Sequence, residues 1–128
     1  MFKRLALLLM FVIGSPALAE ERQFSIAGES FHESEILDAR AQPELDGTSS
    51  IRITFSEAAA KRIALVTGRL VGKPAHISLD TQTVADPIVR APIRDGVLQV
   101  SGAWTVHDAE ALAHKISGKD PLPDSLEE

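Results

Sequence analysis

Four histidines, eighteen acids and no cysteine are the side chains from which this sequence could build chemistry. Without cysteine, disulfides and thiolate catalysis are excluded. His107 and His114 stand seven residues apart. That is two helical turns, whereas a metal pair on a helix uses one. They read as exposed helix residues, and no metal site is expected. Glu29, Glu33, Glu35 and Asp38, with Glu127 and Glu128 at the end, are dense enough for paired-carboxylate acid–base work. They fall on an expected edge strand and a tail, the usual solvated places for charge. Ser15, Ser30 and Ser101 lie near glycines, but none sits in a G-x-S-x-G elbow. Val71-Gly72-Lys73-Pro74 lacks the glycine-rich cradle of a phosphate loop, and Lys73 opens no helix. With no catalytic constellation, neither an enzyme nor a cofactor is expected.

Whatever these residues do, a small set of elements must hold them. Ser56–Leu70 reads as a helix capped by Ser56, with Ala59, Ile63, Val66 and Leu70 making one apolar stripe. Gly72 and Pro74 stop it. A second helix, Thr105–Ile116, carries Ala109, Leu112, Ala113 and Ile116 on its stripe and ends at Gly118. Between the helices lie three short strands, Ala75–Leu79, Thr83–Val89 and Val97–Val100, broken by Asp80-Thr81 and Asp95-Gly96. Pro87 cannot donate to a ladder, so its strand is an edge or carries a bulge. Upstream, Ser50–Phe55 alternates cleanly, and Phe31–Ala41 alternates imperfectly as a twisted edge strand. The order β-β-α-β-β-β-α predicts an α+β domain: a small, mainly antiparallel sheet with two helices packed on one face. Trp104 is expected to anchor the second helix to the sheet.

The ends read differently. Lys3 and Arg4, the apolar run Leu5–Ile13, and Ala17-Leu18-Ala19 have the three parts of a secretory signal cleaved after Ala19. The run is too short for a spanning helix, which takes about 20 apolar residues. Residues 20–28 read as a polar leader, either frayed or an edge strand, 29–118 as the domain, and 119–128 as a solvated acidic tail. The whole chain carries a formal charge of −5. That balance argues against nucleic acid, whose phosphates need clustered Lys and Arg, and is a poor match for an anionic membrane surface.

Leu70-Val71-Gly72-Lys73, followed by Ile77-Ser78-Leu79-Asp80, resembles the periplasmic head of the SecD (SecDF) translocation subunit. The similarity continues through Pro87, Ile93, Gly96, Val100, Gly102, Thr105, Glu110, Ala111 and Ala113, with Ile53-Thr54-Phe55 and Ala58–Ala60 upstream and Gly118 and Leu122-Pro123 downstream. It covers roughly Glu35 to Pro123. Thr81 replaces the family's turn glycine, Asp86 the small residue before Pro87, and Trp104 a Phe. The chain also stops where the translocase would return to its membrane segments. The resemblance implies the head module alone, exported to the periplasm, non-catalytic, and engaging polypeptide or components of the Sec translocase. Lys73, Asp80, Asp86, Pro87, Arg90 and Arg94, on expected loops, are the nominated partner contacts. A small-molecule-binding or hydrolytic periplasmic protein is the alternative.

Overall fold

A computed structural model describes residues 23–123. The expected signal segment and residues 124–128 of the tail lie outside that range. Nine elements follow in chain order: β1 (Phe24–Ile26), β2 (Glu29–Phe31), β3 (Ile36–Pro43), β4 (Ser49–Phe55), α1 (Glu57–Gly68), β5 (Ile77–Leu79), β6 (Gln82–Ala85), β7 (Val97–Trp104) and α2 (Val106–Ser117). A one-turn 3-10 helix, Glu33–Glu35, separates β2 from β3. The class is α+β with antiparallel pairing throughout the strands, as the sequence predicts. The strands divide, however, into two sheets, ordered β2-β1-β5-β6 and β3-β4-β7.

The division begins at the 3-10 turn. Phe31 and Ile36 are both buried, and two residues five apart cannot share one face of a continuous strand. The Glu35 carboxylate accepts from the His32 amide at 2.9 Å, closing the turn that restores their common direction. The expected strand Phe31–Ala41 is therefore split between the two sheets. β1 is neither a frayed leader nor an edge. Phe24 and Ile26 pair with Phe31 and Glu29 on one side and with Leu79 and Ile77 on the other.

The helices follow their capping signals. Ser56 accepts from the Ala59 amide and Thr105 from the Asp108 amide, each satisfying one orphan donor of a first turn. Ala59, Ile63 and Val66 of α1 and Ala109, Ala113 and Ile116 of α2 are buried. α2 lies against β3 and β4. Gly118, at φ 76°, ends α2 in the left-handed conformation. β7 continues past the expected Val100, through Gly102 to Trp104. The Trp104 ring folds back over that glycine, where a Cβ would lie 2.5 Å from the ring. β6, the last strand of its sheet, carries a register shift opposite Ile77 and Ser78, and beyond it the chain passes Pro87 to run beside residues 71–75. Ala75 donates to the Pro87 carbonyl at 2.8 Å and Val89 to that of Lys73 at 2.9 Å.

Residues 119–122 are exposed yet fastened to the domain. Lys119 Nζ donates to the Ile36 carbonyl at 2.7 Å, and the Leu122 amide donates to Asp38 at 2.8 Å. Arg40 in turn donates to the Leu122 carbonyl at 2.8 Å. The segment is strapped along β3.

Candidate functional site

Two concavities flank the 87–94 segment. The first, about 260 Å³, is walled by Ile63 and Thr67 of α1, Ala75 and Ile77, residues 87–91 with Ile93, and Leu98 and Gln99 of β7. Its lining is mostly aliphatic. Its shape depends on Thr67, a buried hydroxyl that donates to the Ile63 carbonyl at 2.7 Å and accepts from the Ile93 amide at 2.9 Å. One side chain thus ties the loop wall to the helix wall. β7 is the last strand of its sheet, so among the described residues its outer edge has no strand partner. The second concavity is shallower, about 560 Å³, between α1 and Pro92–Arg94. Ala64, Leu65, Gly68 and Pro92 give it an apolar floor, and Lys61, Arg69 and Arg94 line it.

The six nominated residues are dispersed between these places and elsewhere. Pro87 and Arg90 line the first groove. Arg94 belongs to the second. Lys73 is exposed, with its backbone paired to Val89. Asp80 works as a hinge of the fold: at φ 58° it turns β5 into β6, its amide donates to the Gln23 carbonyl, and its carboxylate accepts from the Gln23 amide. The Asp86 carboxylate accepts from His76 Nδ1 at 2.7 Å, and His76 Nε2 lies 3.5 Å from Thr83 Oγ1. Asp86, His76 and Thr83 have the order of a proton relay. His76 and Asp86 are each about half exposed, so water competes for every contact and the pair contributes little. Among the described residues, no group of three His, Asp or Glu side chains could hold a metal ion.

The upstream acids are not simply solvated. Arg62 of α1 holds both Glu29 and Glu35 at 2.8 Å and donates to the Ser30 carbonyl at 2.6 Å. The His32 amide, then Arg62, hold the Glu35 carboxyl below its ordinary range, against the opposing effect of burial. Asp38, 8% exposed, is buried on β3. Burial pushes its carboxyl up, and the Arg40 contact at 2.7 Å with the Leu122 amide more than offsets this, leaving it lowered. Reasoning from the sequence missed these three acids as structural because their partners lie far along the chain. Charge density alone carried no signal of the pairing.

Residues 12–119 match the family described as SecDF, P1 head subdomain. The chain belongs to that family. The SecD protein translocase subunit of Dictyoglomus turgidum is 29% identical over 91 residues, 70% of this chain and 23% of that protein. The SecD of Acidaminococcus fermentans is 33% identical over 79 residues, 62% of this chain and 19% of that protein. The SecDF of Thermus thermophilus is 31% identical over 90 residues, 70% and 12% respectively. The chain therefore spans less than a quarter of each of these relatives. Among solved structures, a SecDF described as a membrane component that enhances protein export aligns with TM-score 0.62 and 28% identity, over 73% of this chain and 42% of that one. SecDF in a super-membrane-facing form gives the same TM-score and identity, over 73% and 12%. No helix among the described residues is long and apolar enough to cross a membrane.

Proposed function

We propose that this P1 head domain is a non-catalytic module of protein export that holds extended polypeptide, exported to the periplasm and acting beside the Sec translocase. The observation that carries the reading is the aliphatic groove beside the open edge of β7. An unpaired strand edge offers main-chain donors and acceptors that any extended polypeptide can satisfy, whatever its sequence. Aliphatic walls next to it bury one or two apolar side chains and add affinity without demanding a particular residue. That combination suits a client met unfolded. Membership of the SecDF head family and relatives named as translocase subunits support the same setting. The nominated contacts narrow to Pro87 and Arg90 at the groove, with Lys73 on the adjoining strand segment.

The test is photocrosslinking from Ala91, which lines the groove, and from Leu45 in the β3–β4 turn. With a benzoylphenylalanine at one position or the other, an unfolded export substrate is expected to be captured from position 91 and not from 45. Equal yields from the two positions would sink the reading.

A further inference from the structure

The formal charge of the chain is −5, yet its cations are unevenly placed. Lys61, Arg69 and Arg94 share the shallow cleft on the outer side of α1. Lys73 and Arg90 adjoin it through the 71–75 and 87–89 pairing. None of the five takes part in an ion pair among the described residues, whereas Arg40 and Arg62 are held by carboxylates. Three large apolar side chains are exposed in the cleft or on these paired segments: Leu65 is 65% exposed, Val71 48% and Ile88 54%. Val71 and Ile88 belong to the two paired segments, and Leu65 is in the cleft floor. Water-exposed aliphatics interleaved with uncompensated cations are costly as plain solvent surface and mark a contact face. Of the acids nearest in sequence, Asp86, Asp95 and Glu57, none lines the cleft; Asp86 contacts His76 and Asp95 accepts from the Val97 amide.

From this juxtaposition we infer that the α1–β5 corner is a peripheral docking face for an anionic phospholipid bilayer. Charge complementarity selects the occupant. Headgroup phosphates match five free cations, and the shallow interfacial apolar zone accepts Leu65, Val71 and Ile88. The net negative charge does not oppose it, because salt screens charges beyond about 10 Å and the membrane meets only the local patch. A polypeptide partner suits this corner less well, since the cleft is made by the side of a helix and offers no open strand edge. This face borders the polypeptide groove and shares Ile88 and Arg90 with it, but Leu65, Arg69 and Arg94 belong to the cleft alone, so a test that reads those three survives the groove's failure.

The absence of cysteine makes a site-specific test direct. In the full chain, Leu65→Cys or Leu45→Cys carries an environment-sensitive fluorophore. Leu45 lies between Glu44 and Asp46 in the β3–β4 turn and serves as the control. An apolar run such as Leu5–Ile13 can itself hold a chain to vesicles, so the readout is local environment and not sedimentation. With vesicles containing phosphatidylglycerol, the label at 65 is expected to shift to the blue while that at 45 stays in water. Neutral phosphatidylcholine vesicles are expected to leave both unshifted. Adding Arg69→Glu and Arg94→Glu is expected to weaken the shift at 65 at least about tenfold in lipid concentration, with the far-ultraviolet circular dichroism unchanged. A label at 65 that stays in water, shifts equally with neutral vesicles, or ignores the charge reversal in a folded chain would overturn the inference. So would an acidic, leucine-containing peptide that shifts the label at 65 where phosphatidylglycerol vesicles do not.

Discussion

The guanidinium carbon of Arg62 lies 4.4 Å from the centroid of the Phe31 ring, and that ring tilts against Phe55 at 5.3 Å. Arg62 thus joins α1 to β2 through its face and to Glu29 and Glu35 through its edges. Arg62→Ala is expected to cost about 1–2 kcal/mol, the range for a partly exposed cation–π contact together with charged hydrogen bonds. Arg62→Lys recovers less than half, because an ammonium lacks the planar fork. Urea denaturation of the two variants checks both values.

Acid weakens the fold through Glu35 and Asp38. Both carboxyls are depressed in the folded chain. Their contribution is complete above the ordinary values, 4.5 and 3.8, and is lost as the pH falls through the lower folded values. Stability is expected to be level near neutrality, to decline from about pH 4.5 and to keep declining below 3.8. Glu35→Gln and Asp38→Asn each lower stability at pH 7 and flatten the acid slope. Urea midpoints between pH 7 and pH 3 measure the difference.

Thr67→Val keeps the volume and removes the hydroxyl that the Ile93 amide needs. The unsatisfied amide is expected to cost about 1–3 kcal/mol. Thr67→Ser, which retains the oxygen, should cost less. Because Thr67 ties the loop wall of the groove to α1, the valine variant is also expected to raise hydrogen exchange at Ile93 more than in β4.

Ser49 presents the opposite case. Its side chain is fully buried and its hydroxyl has no partner among the described residues. Ser49→Ala is expected to be neutral or to stabilise by up to about 1 kcal/mol, since it removes a desolvated polar atom at little cost in volume. A loss above that size in thermal denaturation would show that the oxygen is bonded.

Ala27 holds φ 54° and Gly28 φ 84° in the two-residue turn between β1 and β2. A residue with a Cβ is strained there, and asparagine tolerates the left-handed region best. Ala27→Asn should stabilise by about 0.5–1 kcal/mol, readable as a rise in thermal midpoint.

The same turn explains where the sequence is silent. β1 has three residues with apolar side chains only at Phe24 and Ile26, too few for a period, and Ala27-Gly28 lacks the asparagine that announces a tight hairpin. The helices were legible because Ser56, Thr105 and Gly118 mark their ends locally and the stripes span three turns. Pro87 likewise announced an edge strand, and β6 is one, ending at Ala85. The groove was legible only in part. Pro87 and Arg90 were within reach of a loop argument, whereas Thr67 of α1, Ile77 of one sheet and Leu98 of the other meet there through tertiary packing that no local pattern encodes. Asp80 and Asp86 were nominated as exposed loop acids, and the fold uses Asp80 to fasten Gln23 and Asp86 to hold His76.

The strap from Lys119 to Leu122 along β3 also gives the three-stranded sheet a direction. Its β3 margin is blunted by residues 119–122, whereas β7 has no strand partner among the described residues. A strand added to this sheet would therefore extend it from the β7 side, while β2 and β6 remain the terminal strands of the other sheet.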